Sequence, residues 1–253
     1  MKVAEIVSAS DWLSPPKELR LDEGEVHVWR AALEFAPDQV QSFLKILSTD
    51  EISKAQRFYF ENDRRHSIAA RGLLRTILGR YLKTDPRCLR ICYKLYGKPA
   101  LVGTSGHNTY NFNLSHSHGL FLLAITLGRE IGIDVEYIRP ESAGEEIAER
   151  FFAPNEIAKL RSLPTDQKVE AFFKCWTRKE AYIKAKGEGL SMPLDQFEVS
   201  LSPDEPAALL HPVSFREPPD WSLEEVYPGP GYTGALVVQG LASQLKYWQW
   251  PET

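Results

Sequence analysis

Two short stretches gather the residue types that handle phosphates and divalent cations. Ile131-Gly132-Ile133-Asp134-Val135-Glu136 sets two carboxylates two residues apart. Trp176-Thr177-Arg178-Lys179-Glu180-Ala181-Tyr182-Ile183-Lys184 sets a carboxylate and an ammonium four apart. On a strand, side chains alternate between faces, so Asp134 and Glu136 point one way while Ile133 and Val135 point into the core. Like charges at that spacing repel unless a proton or a cation lies between them. On a helix, a separation of four puts Glu180 and Lys184 on one face. Asp134, Glu136 and Glu180 together offer hard oxygen ligands suited to Mg2+, with Mn2+ the alternative; Mg2+ often bridges carboxylates to a substrate phosphate. The bland reading is a solvated or salt-bridged carboxylate pair. A metal-dependent phosphohydrolase acting on nucleotides is open to the same residues, although no Gly-rich loop of Walker type accompanies them.

The elements that must hold these groups follow from patterning. Asn111–His116, Gly119–Thr126 and Ile131–Glu136 read as three strands of a meander, with a tight turn at Leu127-Gly128-Arg129-Glu130. Phe172–Lys184 reads as a helix with Phe172, Trp176 and Ile183 on its apolar stripe and Gly187 as its C-cap. Upstream, Glu25–Trp29 alternates like a strand and Asp38–Leu47 reads as a helix. Ser48-Thr49-Asp50-Glu51 has the form of a helix start, with Ser48 or Thr49 as N-cap. A long helix over Asp63–Leu82 turns Leu73, Leu74, Ile77, Leu78 and Tyr81 inward, with Arg64, Arg71 and Arg75 on another stripe. Leu89–Tyr93 reads as a strand, followed by a turn at Gly97-Lys98-Pro99. Strands are expected at Phe197–Leu201, Trp221–Val226, Ala235–Gln239 and Lys246–Trp250, with a Pro-rich connection from Pro203 to Pro219. Phe43, Phe58, Phe151 and Phe152 are expected in the core. Residues 1–24, with Ser14-Pro15-Pro16, read as a loose lead-in. Arg57–Asp63 and Arg150–Glu156 echo each other, a hint of internal duplication.

Composition narrows the function. The chain has 253 residues, 43% hydrophobic and 25% charged, which is the profile of a soluble globular protein. The longest apolar run, Leu120–Leu127, cannot cross a bilayer. The opening Met1–Glu5 lacks the apolar stretch of a signal peptide, so a cytoplasmic location is expected. Cys88, Cys92 and Cys175 do not form a disulfide framework. With His107, the first two match no common zinc spacing, and all three are expected to be reduced, buried thiols. A net charge of −4 gives no reason to expect nucleic acid, and no membrane partner is indicated. From Lys54 to Lys83, however, eight basic residues stand against Glu61 and Asp63. Such a concentration is either a solvated helix face or a site for phosphates or an acidic partner.

The two motifs above, in this order, resemble the signature motifs of the phosphopantetheinyl transferases. Gly97-Lys98-Pro99 and Asn113-Leu114-Ser115-His116 match two further motifs of the larger, Sfp-type branch. The resemblance spans residues 25 to 240, and Arg57-Phe58-Tyr59-Phe60 is most similar to cyanobacterial members. It implies an α+β fold made of a pseudo-twofold pair of similar α/β lobes, residues 1–127 and 128–253, with the active site at their interface and a monomeric state. It implies that phosphopantetheine passes from coenzyme A to a serine of an apo acyl carrier protein or peptidyl carrier domain, leaving adenosine 3',5'-bisphosphate. Asp134, Glu136 and Glu180 would bind Mg2+. Glu180, Lys184 and His116 would be catalytic. Lys54, Lys98, Pro99, Asn113, Ser115, His116, Asp134 and Lys184 would line the coenzyme A site. Lys179, next to Glu180, is either a catalytic group or a salt-bridge partner.

The chain departs from one pattern. A bacterial member uses two lysines in the region of Ser48–Arg57 to hold the 3'-phosphate. Here Lys54 matches the second and Glu51 fills the first, so Arg57, Arg64 or Arg71 would compensate. Carrier proteins are typically acidic, and Arg64, Arg65 and Arg75 would steer them. A carrier-binding module without catalysis is the remaining alternative; in it the acidic residues would be dispensable.

Overall fold

The computed structural model describes residues 12–103, 109–211, 221–241 and 244–251. His107 and Met1–Glu5 lie outside them. In the first lobe, β1 (Glu25–Ala32) is followed by α1 (Pro37–Leu44), α2 (Thr49–Ala55) and α3 (Glu61–Leu82). A small hairpin, β2 (Ile91–Tyr93) and β3 (Pro99–Leu101), precedes β4 (Tyr110–Ser117) and β5 (Leu120–Leu127). The second lobe runs β6 (Ile131–Tyr137), α4 (Glu145–Phe151), α5 (Pro154–Ser162) and α6 (Thr165–Lys186). It continues with β7 (Glu198–Val199), β8 (Leu209–His211), β9 (Trp221–Val226), β10 (Tyr232–Gln239) and β11 (Gln244–Gln249).

Two sheets form the centre, in the orders β11-β1-β5-β4 and β6-β10-β9. Period-two patterning gives each an outer face for a helix and an inner face for the other sheet. Trp29, Phe121, Leu123 and Ile125 face α3, which buries Leu73, Leu74, Ile77 and Leu78 against them. Val26, Val28, Leu122 and Ala124 turn the other way and pack on Ile131, Ile133, Val135, Leu236 and Val238 of the second sheet. Ala235 and Val237 face α6 with Ala181, Ile183 and Ala185. The lobes therefore share an apolar layer between their sheets. Ile133 and Val135 enter that layer, which leaves Asp134 and Glu136 on the α6 side.

The two lobes repeat one local arrangement, but in a register other than the one that the Arg57 and Arg150 stretches suggest. Glu51 and Glu156 are the counterparts. Each accepts from the backbone N–H three residues before it, at Ser48 and Ala153, at the start of a short helix. Each also binds a cation on the 22-residue helix that follows. Arg75 meets Glu51 at 2.7 Å and Lys179 meets Glu156 at 2.7 Å. Arg75 and Lys179 hold the same position along α3 and α6, and both helices end in a left-handed residue, Lys83 and Gly187. Arg57–Asp63 runs into the start of α3, whereas Arg150–Glu156 runs from the end of α4 into the start of α5, the counterpart of α2, so that echo joins unlike places.

Several expectations need correction. The meander breaks after β5: β6 pairs with β10, not with β5. β11 pairs in parallel with β1, so residues 244–249 belong by pairing to the first sheet although they follow the division at residue 127. The lead-in is not loose throughout, since Trp12, Leu19 and Leu21 are buried. Phe58 is 44% exposed rather than in the core, whereas Phe151, half-buried, does pack on the core of the second lobe. Cys88 and Cys92 are exposed free thiols; only Cys175 is buried. Phe197–Leu201 forms a strand only at Glu198–Val199.

Candidate active site

The site is built where β4, β6 and α6 meet. β4 and β6 do not share a backbone ladder; side chains on one face of β4 take its place. Asn113 Oδ1 accepts from the Ile133 N–H at 2.9 Å. Ser115 Oγ donates to Asp134 Oδ1 at 2.8 Å. Ser117 Oγ donates to Glu136 at 2.8 Å and accepts from the Tyr137 N–H at 3.2 Å. From the other side, α6 approaches β6 closely enough that a Cβ on Gly132 would stand 2.1 Å from the Ala181 carbonyl oxygen. Glycine at this position admits the helix, and the helix brings Lys184: its Nζ donates to Asp134 Oδ1 at 2.6 Å and to Ser115 Oγ at 3.0 Å.

Charge is concentrated here. Asp134 is buried, and its Oδ2 has no hydrogen-bond partner among the described residues. Glu136 and Glu180 are both held above the usual carboxylate range, first by burial and next by the charge of Asp134. Glu180 makes no hydrogen bond or ion pair with the described residues. Among those residues, no three acidic, histidine or cysteine side chains stand close enough to form a ready metal cage. The donor set still suits a hard divalent cation: oxygen atoms only, one of them buried and unpartnered, and two glutamates that repel a neighbouring aspartate.

Beside this cluster two cavities of about 400 and 390 Å3 adjoin, sharing Arg71, Leu114 and His116. The first is basic, with Lys54, Arg57 and Arg71 on its walls. Lys54 Nζ sits 3.3 Å from the centre of the Tyr93 ring, and Arg71 keeps one buried Nη1 without a hydrogen bond. The second cavity is lined by Lys98, Pro99, Asn113, Ser115 and Lys184. His116 joins the two with its side chain open to the groove, and its imidazole is lowered by the surrounding protein and then by the charges of Lys184, Arg71 and His66. Its ring can donate a hydrogen bond into either chamber.

The sequence as a whole matches known proteins. Residues 130–237 match the model of the 4'-phosphopantetheinyl transferase superfamily, and residues 32–127 match that of the 4'-phosphopantetheinyl transferase N-terminal region. The chain is 44% identical over 239 residues to the 4'-phosphopantetheinyl transferase HetI of Nostoc sp., covering 94% of this chain and 98% of that one. The chain belongs to the 4'-phosphopantetheinyl transferase superfamily. To the 4'-phosphopantetheinyl transferase Sfp of Bacillus subtilis it is 32% identical over 192 residues, covering 76% of this chain and 83% of that one. To the L-aminoadipate-semialdehyde dehydrogenase-phosphopantetheinyl transferase of Xenopus laevis it is 28% identical over 181 residues, covering 67% and 59%.

In this transferase Asp134, Ser115 and Lys184 are in direct contact, and His116, Pro99 and Asn113 line the adjoining cavity. Lys98 lines it too, but its ammonium turns away, to Glu130 at 2.8 Å and to the Ala185 carbonyl at 3.0 Å. Lys179 is fully buried and donates to Glu156, Leu194 O and Phe197 O, which makes it a structural cation. Arg75 is likewise buried on Glu51, Arg65 is tied to the Phe35 carbonyl and Arg64 to Glu61. These three do not form the free basic face expected on α3. Sequence reading missed Ser117, Tyr93 and Arg178, which is buried against Ser200 and Glu225. The signal for Ser117 was present in the alternation Asn113, Ser115, Ser117.

Proposed function

We propose that this protein transfers the 4'-phosphopantetheine moiety of coenzyme A to the serine hydroxyl of apo acyl carrier proteins and peptidyl carrier domains, leaving adenosine 3',5'-bisphosphate. The observation that carries this reading is the contact of Asp134 with Ser115 and Lys184 at the edge of a basic, two-chambered groove. Attack on a pyrophosphate puts charge on phosphoryl oxygens, so positioning and electrostatics supply most of the rate. Lys184 can exchange its bond to Asp134 for one to a phosphate. Lys54, Arg57 and Arg71 suit the 3'-phosphate, and Arg71 takes the place that Glu51 cannot fill, because Glu51 is committed to Arg75. His116 donates to a phosphate oxygen between the chambers. Glu180, without a hydrogen-bond or ion-pair partner among the described residues, takes the serine proton directly or through a water. Asp134, Glu136 and Glu180 would hold Mg2+, with Mn2+ as the alternative; when bound, the ion supplies positive charge against the pyrophosphate.

Exposed, free Cys88 and Cys92 suit a reducing compartment, and we place the protein in the cytoplasm, where carriers and coenzyme A occur. No helix among the described residues is long and apolar enough to cross a membrane. The test is intact-mass analysis of several apo-carriers incubated with coenzyme A and Mg2+. Addition of phosphopantetheine to the carrier is expected. Free phosphopantetheine with unmodified carrier would instead mean a hydrolase, and binding without either product a carrier-binding module.

A further inference from the structure

Lys98 is 8% exposed, and its ammonium has two partners on different elements. It donates to Glu130 Oε2 at 2.8 Å and to the Ala185 carbonyl at 3.0 Å. Ala185 lies in the last turn of α6, where carbonyls lack intrahelical donors and a cation is favoured. Its neighbour in sequence is Lys184, whose ammonium holds Asp134 and Ser115. The other oxygen of Glu130 accepts from Lys94 at 2.8 Å, and Lys94 lies in the turn that joins β2 to β3. Glu130 itself is anchored to the end of β10, where the Gln239 N–H donates to the Glu130 carbonyl at 2.9 Å. One buried ammonium thus ties the β2–β3 turn and the start of β6 to the C-terminal end of α6. The Lys98 stem runs under Gly187, within ordinary contact distance of a Cβ built there.

We propose that Lys98 acts as a positioning residue, clamping the end of α6 through Ala185 and Glu130 so that Lys184 is held at Asp134, and that it does not bind coenzyme A through its ammonium. This rests on the transfer reading above only for its activity readout. A phosphate ligand at Lys98 would have to draw the ammonium out of a buried ion pair. Lys54, Arg57 and Arg71 already face the groove with no such commitment.

Three variants decide it: Lys98→Met, Glu130→Gln and the double variant. If Lys98 clamps, both single variants lower kcat by roughly tenfold or more, since small misplacement near reacting atoms is costly. The double variant is then no worse than the poorer single, and coenzyme A affinity by calorimetry weakens by a similar, less than tenfold factor in both single variants, through the displaced Lys184. Amide hydrogen exchange in the last turn of α6 rises in all three without any ligand. If Lys98 is a phosphate contact, Lys98→Met loses affinity tenfold or more, Glu130→Gln tightens binding by freeing the ammonium, and exchange in α6 is unmoved; that pattern overturns the proposal. Should Lys98→Met fail to fold, Glu130→Gln decides alone, because the two models give opposite changes in affinity and exchange. Calorimetry and exchange need no turnover, so a wild-type protein that fails to transfer would count against the proposed function and leave this inference testable.

Discussion

At the scale of single residues, Glu180 is the group on which ligation and proton transfer compete. It is the one site carboxylate without a partner among the described residues. Glu180→Gln keeps an oxygen ligand and loses charge and basicity. We expect kcat to fall roughly 10²–10⁴-fold, with partial recovery at high Mg2+; full recovery in a metal titration would assign the residue to ligation alone. The acidity shifts give a second expectation. Glu136 and Glu180 are raised by burial and by Asp134, so each stabilises the fold below the ordinary carboxylate range and ceases to as pH rises through its raised value. A bound cation reverses this by requiring the ionised forms. Mg2+ should therefore raise the melting temperature more at neutral pH than near pH 4.5, and its affinity by calorimetry should fall on acidification. Asp134, Ser115, His116, Glu180 and Lys184 could be singled out as candidates because they fall in short motifs, and the structure puts Asp134, Ser115 and Lys184 in contact. What the motifs did not reveal is which atom each side chain touches. Lys98, Asn113 and Lys179 all sit in the right stretches, yet their polar ends bind the protein itself.

At the scale of elements, the approach of α6 to β6 sets the distance between the lysine and the carboxylates. A methyl on Gly132 would meet the backbone of Ala181 and Ala185 at 2.1 and 2.3 Å, and backbone cannot rotate aside. Gly132→Ala should cost about 1–3 kcal/mol or more, as overpacking does, read from the urea midpoint, and should lower transfer through Lys184. The paired devices of the two lobes make another expectation. Glu51→Gln strands a buried Arg75, which should cost on the order of 3–5 kcal/mol. Replacing both residues by leucine should cost less, and a double-mutant cycle would show the coupling. Helix and strand periods made most of these elements visible in the sequence, and the capping pattern at Ser48 and Glu51 held. Partnership was not visible. Three consecutive strands separated by tight turns read as a meander. Asn113, Ser115 and Ser117 instead satisfy β6 with side chains, while β10, a hundred residues later, supplies its ladder.

At the scale of the whole molecule, one buried histidine marks the acid limit of the fold. His27 on β1 bonds Tyr81 on α3 at 2.7 Å and sits 3.3 Å from Glu25, and burial lowers its pKa to about 4. The unfolded chain takes a proton near the ordinary value of 6.5, while the folded one does not until about 4. Stability should thus fall as pH drops through that window, by about 3 kcal/mol at ~1.4 kcal/mol per unit. His27→Gln should flatten urea midpoints plotted against pH over the same window, even if it lowers them throughout. An unchanged slope would place the acid sensitivity elsewhere. Composition foretold a globular chain, and the family resemblance, not any pattern in the residues, implied two lobes. The shared apolar layer could not be read, because strands buried on both faces lose the alternation that would tell one face from the other.

The parallel pairing of β11 with β1 has a consequence for synthesis. β1 leaves the ribosome long before β11, the last of the described elements. Until residues 244–249 emerge, one edge of β1 carries open N–H and C=O groups, ready to pair with any extended segment nearby. The nascent first lobe is thus obliged to wait, with a sticky margin, for more than a hundred further residues to be translated. A chain released early by a premature stop would keep most of the catalytic groups and still be exposed to edge-to-edge aggregation.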